Sequence, residues 1–174
     1  MEDKKTMRKL EVFFDYACPY CLTGHEYLME LLPQYNDIEV IWRACEAHPR
    51  PEVYGRYSDL CVQGLLYAVE KGADLRDFHG RMYRAALKDG VNIENPAALA
   101  DYFKDLLDPA AFRDALRSGK YAQAVADAND YAYEQSGVWY VPAYRMDGRK
   151  LDAAGGVGVT KAQLAEFLNK KEAL

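Results

Sequence analysis

The strongest signal for the fold is the run Phe13-Phe14-Asp15-Tyr16-Ala17-Cys18-Pro19-Tyr20-Cys21. Its first residues are apolar and aromatic, which predicts a buried strand. The residues that follow, up to Leu32, have the pattern of a helix, and Pro19 suits the first helical turn, where a missing N–H costs nothing. Two thiols three residues apart can close a small disulfide, and a helix N-terminus makes a cysteine reactive. The stretch therefore predicts a reactive C-x-x-C pair where a strand meets a helix.

Length, charge and cysteine content narrow the possible functions. The chain has 174 residues, which is long enough for one domain with a sizeable core, and 50% of them are hydrophobic. A formal net charge of -5 argues against nucleic acid or an anionic membrane as a partner. No stretch is apolar for long enough to span a bilayer, and the charged N-terminus lacks the apolar segment of a secretory signal, so we expect a cytoplasmic location. In such a reducing compartment, a close cysteine pair is typically catalytic or metal-binding.

The order of predicted elements begins with a β-α-β unit. Leu10 to Phe14 is the first strand, Pro19 to Leu32 the first helix and Ile38 to Trp42 the second strand, which favours parallel pairing. Residues 57–135 have helical periodicity throughout. Within this interval, Asn95-Pro96 and Asp108-Pro109 each place a capping residue before a proline, which is a helix-start signal.

After Gly137 the pattern returns to strands. Tyr140 to Met146 and Lys150 to Ala153 flank Asp147-Gly148, a hairpin turn signal. The segment from Thr160 to Gln163 is a capping box that predicts the start of a last helix. The whole order is therefore β-α-β, a helical block, and β-β-α.

With these motifs the sequence resembles the thioredoxin superfamily, and more narrowly its DsbA-like branch. The resemblance depends on the Cys18–Cys21 pair after strand one, on Val141-Pro142 where the superfamily has its cis-proline, and on the hairpin at Asp147-Gly148. It implies an α/β thioredoxin fold with an inserted all-helical subdomain. Residues 1–56 and 137–174 would form the thioredoxin-like domain, and residues 57–136 the helical insertion.

Within that branch, the short chain and the motif from Asp15 to Pro19 are most similar to the FrnE and 2-hydroxychromene-2-carboxylate isomerase subgroup. The resemblance implies a protein-disulfide oxidoreductase that acts on thiol- or disulfide-containing proteins or small molecules. The alternative is a glutathione-dependent isomerase or transferase of the chromene-carboxylate isomerase type, although those enzymes usually have serine in place of Cys18 and lack a resolving cysteine. A third hypothesis is a binding module that uses the fold only as a scaffold. We expect no bound cofactor, with glutathione as a candidate co-substrate, and the oligomeric state stays open.

The predicted site consists of the two cysteines and four neighbours. Cys18 at the helix N-terminus is the expected nucleophile, because free N–H groups and the helix dipole favour its thiolate, with a pKa in the range of about 3.5–7.5. Cys21, one turn deeper, is the expected resolving thiol. The resemblance implies that Pro19 and Tyr20 tune the redox potential and contact substrate, together with the remaining two neighbours, Val141 and Pro142.

Two further residues are candidate modulators. Many thioredoxin-like proteins carry a buried acid six residues before the nucleophile, but Val12 occupies that position here. Asp15 is the nearest acid, and a loop or capping role is the favoured interpretation for it. His25 shares the helix face of Cys21 and either assists the thiols or packs beneath them. His48 and His79 are interpreted as surface or packing residues.

The remaining cysteines and glycines receive structural interpretations. Cys45 and Cys61 are expected to be small buried hydrophobes, with a disulfide between them as the alternative. Zinc binding by Cys18 and Cys21 lacks two further ligands, so no metal site is predicted. The glycine-rich segment at residues 155–158 lacks the lysine of a phosphate-binding loop and is expected to be a flexible approach to the last helix.

Overall fold

The computed structural model describes residues 5–170 of the chain. The strands are β1 (Arg8–Phe14), β2 (Ile38–Ala44), β3 (Ala143–Met146) and β4 (Arg149–Asp152). The helices are α1 (Pro19–Leu31), α2 (Asp59–Glu70), α3 (Leu75–Leu87), α4 (Pro96–Tyr102), α5 (Pro109–Ser118), α6 (Ala122–Asp130) and α7 (Lys161–Asn169). A 3₁₀ turn (Leu32–Gln34) follows α1, and a π turn (Tyr131–Gln135) follows α6.

The four strands form one mixed sheet in the order β2-β1-β3-β4. β1 lies at its interior, parallel to β2 and antiparallel to β3, which in turn pairs antiparallel with β4. Leu10, Val12, Phe13 and Phe14 of β1 are all buried, so both faces of this strand are covered. The apolar run in the sequence therefore becomes the central strand that delivers Cys18 to the start of α1.

The β3–β4 hairpin turns at Asp147 and Gly148, whose φ angles of 53° and 71° match the two positive φ values of a type I′ turn. This confirms the predicted turn. The predicted extent of the strands was wrong, since β3 begins only at Ala143 and β4 ends at Asp152. Pro142 has no N–H to donate to the sheet, so regular pairing begins after it.

Helices α2 to α6 separate β2 from β3, which confirms the helical character predicted for residues 57–135. Asn95 caps α4 and Asp108 caps α5, each through its side chain, as the sequence indicated. These helices bury an aromatic cluster in which Phe103 stacks on Phe78 and meets Phe112 edge-on. The division of the chain into two domains at residues 56 and 137 stays a prediction.

The last helix, α7, begins with the predicted capping box between Thr160 and Gln163. Leu164 and Leu168 bury its inner face, and α7 packs beside α1. Between residues 5 and 170, none of the helices has the length and apolar character needed to cross a membrane.

Candidate active site

Cys18 is the N-cap residue of α1, and its thiol is only half-buried. Its carbonyl oxygen accepts hydrogen bonds from the amides of Cys21 and Leu22, at 3.1 and 3.2 Å. Its Sγ atom lies 4.0 Å from the carbonyl oxygen of Val141, which belongs to the segment just before β3. The first helical turn thus holds Cys18 at the surface, facing the start of the hairpin.

Cys21 lies one turn deeper, and only 1% of it is exposed. The backbone amide of Asp15 donates to its Sγ atom at 3.5 Å. The two thiols therefore differ in access to solvent, with Cys18 open to a partner and Cys21 sealed beneath it.

The same arrangement separates the acidities of the two thiols. A hydrogen bond from the Cys21 thiol lowers the pKa of Cys18, and the amides of Cys21 and Tyr20 add to the effect, whereas burial and the Asp15 charge oppose it. Burial raises the pKa of Cys21 well above its ordinary value, and its hydrogen bond to Cys18 raises it further. Of the two thiols, Cys18 therefore ionises at the lower pH and favours the thiolate form.

Alkylation kinetics should reveal this difference in the reduced protein. Because the pKa of Cys18 is lowered, its reaction with iodoacetamide should stay fast at a pH below that of an ordinary thiol, and slow down only as the pH falls through the lowered pKa. Mass spectrometry of peptides after brief labelling checks which sulfur reacts. Equal labelling of Cys18 and Cys21, or an ordinary thiol profile, would contradict this assignment.

Val141 and Pro142 lie against the thiol pair and are joined by a cis peptide bond. A Cβ atom built on Gly24 of α1 would come within 3.2 Å of Cγ of Pro142, so the proline ring packs directly on the helix that carries both cysteines. The predicted neighbours of the thiols are thus brought together by α1 and the approach to β3.

Tyr20 leans over the glycine-rich segment that precedes α7. Its hydroxyl donates to the carbonyl oxygen of Gly156 at 3.0 Å, and its ring would lie 3.1 Å from a Cβ atom at Gly158. Tyr140 covers Gly155 in the same manner, at 3.2 Å. The segment at residues 155–158, expected to be a flexible approach to α7, is therefore a surface against which two tyrosines pack. Its glycines leave room for the tyrosine rings.

A cavity of about 450 Å³ opens beside Cys18. The helical start contributes Cys18, Pro19 and Tyr20, and the hairpin approach contributes Trp139, Tyr140 and Val141. The far wall comes from the segment between β2 and α2, with Ala47, His48, Tyr54, Gly55, Arg56 and Ser58 among its residues. Three aromatic side chains on the rim, Tyr54, Trp139 and Tyr140, are at least half exposed.

Sequence reasoning missed most of this rim. Trp139 and Tyr140 directly precede Val141-Pro142, so two large aromatic residues beside the expected substrate segment were the available signal. His48 was interpreted as a surface or packing residue, yet it lines the cavity and stacks on Tyr54 with ring centroids 3.9 Å apart. Nothing in the local sequence indicated that the segment after β2 would face Cys18.

Asp15 is 4% exposed and also borders the cavity. Its Oδ1 accepts from the Ala17 amide and its Oδ2 from the Ala47 amide, both at 2.8 Å. Burial raises its pKa, which these two hydrogen bonds partly offset. The bond to Ala17 is the loop role expected for this residue, while the bond to Ala47 also ties the end of β1 to the segment after β2.

His25 packs beneath α1 among Trp42, His79 and Tyr83, with ring centroids 5.2–5.7 Å away. Burial lowers the pKa of His25 to about 4, so the ring is neutral at neutral pH and supplies no positive charge to the thiols. His79 is buried beside it and shares a 2.7 Å hydrogen bond with the Tyr16 hydroxyl. The packing interpretation therefore describes both histidines.

Cys45 and Cys61 are both completely buried and unpaired. The Cys45 thiol lies 3.6 Å from the Phe14 carbonyl oxygen, and burial raises its pKa to about 12. Both cysteines fit the interpretation as small hydrophobic residues. In the described part of the chain, no group of three or more His, Cys, Asp and Glu side chains is placed to hold a metal ion.

Comparisons with known proteins agree with this architecture. A family model described as "DSBA-like thioredoxin domain" matches residues 9–170. The uncharacterized protein YwbO of Bacillus subtilis is 23% identical, over 93% of this chain and 98% of its own length. A probable DsbA oxidoreductase from Streptomyces coelicolor superposes with a TM-score of 0.77 at 16% identity, covering 97% of this chain and 93% of that one. DsbA of Pseudomonas aeruginosa gives 0.68 at 17% identity, with coverage of 97% and 83%. The predicted α/β fold, a thioredoxin fold with a helical insertion, is confirmed.

Proposed function

Because this chain belongs to the family of DSBA-like thioredoxin domains, we propose that it is a thiol–disulfide oxidoreductase in which Cys18 attacks and Cys21 resolves. The observation that carries the proposal is the contrast between the two thiols. Cys18 is accessible with a lowered pKa, whereas Cys21 is sealed with a raised one. A scaffold without catalysis has no use for such a pair at an activating helix terminus.

In the reducing direction, the Cys18 thiolate attacks one sulfur of a substrate disulfide. A bond forms between Cys18 and that sulfur, and the other substrate sulfur leaves as a thiolate. Cys21 then attacks Cys18, which closes the Cys18–Cys21 disulfide and releases the second substrate thiolate. Two electrons pass from the protein to the substrate, and the oxidising direction is the reverse of these steps.

The cavity beside Cys18 supports the proposal that polypeptides are one class of substrate. An extended peptide chain can form strand-like hydrogen bonds with the backbone near Val141, while Trp139 and Tyr140 contact its side chains. The Pro19-Tyr20 pair adds no positive charge to the Cys18 thiolate. We therefore expect a pair less oxidising than DsbA at about −120 mV, nearer the glutaredoxin range of about −200 to −230 mV.

Two finer assignments accompany the proposal. Retention of both thiols supports an assignment to FrnE-like oxidoreductases in preference to the chromene-carboxylate isomerases. Glutathione is then a co-substrate that exchanges with Cys18, not a bound cofactor. A cytoplasmic location accords with a function in exchange with the glutathione pool.

Equilibration in glutathione redox buffers tests the proposal. We expect the Cys18–Cys21 disulfide to form and break reversibly as the ratio of oxidised to reduced glutathione changes, with a midpoint in the range given above. Mass spectrometry of acid-quenched samples counts the two thiols at each ratio, and Cys45 and Cys61 serve as internal controls that stay reduced. Tight glutathione binding without any disulfide formation would instead favour the isomerase.

A further inference from the structure

A buried hydrogen bond ties the turn that leads into α1 to the helical block. The turn spans Asp15 to Cys18, and the Cys18 amide closes it by donating to the Asp15 carbonyl oxygen at 3.1 Å. Tyr16, one of the two central residues, is 1% exposed, and its hydroxyl lies 2.7 Å from Nδ1 of His79 in α3. We propose that His79 is a positioning residue for the nucleophile, because its bond to Tyr16 fixes the turn from which Cys18 projects. This inference rests on the proposed function.

The surroundings of His79 indicate that the bond to Tyr16 is the reason for an imidazole at this place. Only 1% of the residue is exposed, and its buried Nε2 atom has no hydrogen-bond partner among residues 5–170. A buried polar atom without a partner costs stability, and an apolar side chain would avoid that cost. The ring also packs on Trp42, with centroids 4.4 Å apart, which an apolar ring does equally well. The bond to Tyr16 is the contact that an apolar side chain cannot make.

Aromatic packing and the hydrogen bond constrain different features of Tyr16. Its ring meets Phe14 and Tyr83 edge-on, with centroids 5.0 Å apart in each pair. Such contacts are favourable over centroid separations of about 4.5–7 Å, so they leave the ring some freedom to slide. A hydrogen bond is favourable only over a few tenths of an ångström and weakens steeply when it is bent. The hydroxyl therefore sets how far Tyr16 reaches toward α3, and with it the position of the turn.

The position of the turn decides which groups face the Cys18 sulfur. Cys18 directly follows the turn and is the N-cap of α1, with an extended backbone. The Cys21 thiol lowers the pKa of Cys18 most, and the amides of Cys21 and Tyr20 add to this effect. All three groups belong to the first turn of α1. A shift of the preceding turn relative to α1 would therefore weaken their hydrogen bonds to the Cys18 thiolate.

Neither partner of the buried bond carries a charge at neutral pH. Burial raises the pKa of Tyr16 well above its ordinary value, and burial lowers the pKa of His79 to about 3. Loss of the Tyr16 hydroxyl therefore changes no charge near the thiols. Any effect of this bond on Cys18 must pass through the geometry of the turn.

Tyr16→Phe tests the inference, because it removes the hydroxyl and keeps the ring. The pH dependence of Cys18 alkylation by iodoacetamide, followed by mass spectrometry of peptides, gives the midpoint at which the thiolate forms. We expect this midpoint to rise, so that the thiolate fraction at a fixed pH below it falls by about two- to tenfold. The upper limit holds because the bond cannot transmit more than its own contribution, which is roughly tenfold in an equilibrium constant.

Tyr131→Phe is the matched control. Its hydroxyl donates to Oε2 of Glu11 in β1 at 2.6 Å, and Tyr131 borders a different cavity, between β2, α2 and α6. Each variant loses one tyrosine hydrogen bond, so both should unfold at lower urea concentrations than the unaltered protein. Only Tyr16→Phe should move the Cys18 midpoint. An equal shift in Tyr131→Phe would overturn the inference, because this is the effect of general loosening.

Two replacements of His79 separate the hydrogen bond from the packing of the ring. The amide of His79→Asn offers a hydrogen-bonding atom close to the place of Nδ1, whereas His79→Leu offers none. We expect His79→Leu to raise the Cys18 midpoint as Tyr16→Phe does, and His79→Asn to restore most of the shift. Equal midpoints in the two His79 variants, or an unchanged midpoint in Tyr16→Phe, would overturn only this inference. The midpoint of an ordinary thiol in the unaltered protein would overturn the proposed function as well.

Discussion

Replacement of Cys18 by serine is expected to abolish disulfide exchange, and replacement of Cys21 by serine is expected to stop it after the first step. A serine hydroxyl does not ionise near neutral pH, so Cys18→Ser lacks the attacking thiolate. Cys21→Ser retains that thiolate but cannot release the mixed disulfide by internal attack. Turnover of a disulfide substrate should fall to the uncatalysed rate in the first variant, and the second should accumulate as a covalent adduct visible by intact-protein mass spectrometry.

Cys61→Ala is the control for loss of a thiol as such, because Cys61 is fully buried in α2 and plays no part in the proposed chemistry. It should cost some stability through the cavity that it leaves, while the exchange activity of the folded protein is retained. Full activity in Cys18→Ser would show that the assignment of the nucleophile is wrong.

Gly24→Val should strongly reduce both stability and activity. A Cβ atom at Gly24 would lie 2.7 Å from the Tyr144 hydroxyl and 3.2 Å from Cγ of Pro142. Tyr144 is 1% exposed and cannot swing away, so α1 or the segment before β3 must move. Overpacking of this kind costs about 1–3 kcal/mol. Urea unfolding should report a loss near the upper end of that range, because valine adds two further methyl groups.

The shift should also separate Cys18 from Val141, since Pro142 would be displaced from α1, and the exchange rate should fall with the stability. Gly80→Ala is the matched control within α3, where the nearest atom is the mobile end of Arg84 at 3.5 Å. That change should stabilise the protein by up to about 1 kcal/mol, the usual gain from glycine to alanine inside a helix. Unchanged stability in Gly24→Val would mean that the close contact is not rigid.

The elements that the sequence predicted correctly are those defined by neighbouring residues. The turn at Asp147-Gly148, the capping box at Thr160 and the side-chain caps at Asn95 and Asp108 each depend on chemistry within four residues. The strand–helix junction at Cys18 belongs to the same class. These local signals predicted the order of the elements, and the resemblance to the thioredoxin superfamily implied how those elements are arranged in the fold.

The features that the sequence did not predict depend on contacts between distant segments. The wall formed by His48 and Tyr54 faces Cys18 only because β2 lies parallel to β1 and ends at the same edge of the sheet. One of the two backbone amides that hold the Asp15 carboxylate belongs to Ala47, which follows β2. The need for a glycine before α7 becomes clear only from the tertiary contact, because the Tyr20 ring packs where a side chain of Gly158 would lie.

The two buried thiols of Cys45 and Cys61 can serve as probes of local unfolding in this protein. Cys45 follows the end of β2 and Cys61 belongs to α2, and both have no exposed surface. A buried thiol reacts with a reagent only while its surroundings are open, so its labelling rate measures the free energy of that opening. Labelling of Cys45 therefore reports opening beside the sheet, and labelling of Cys61 reports opening of the helical block. If Cys61 is labelled faster than Cys45, the helical block opens independently of the sheet. Equal labelling rates indicate that the block opens only when the whole molecule unfolds.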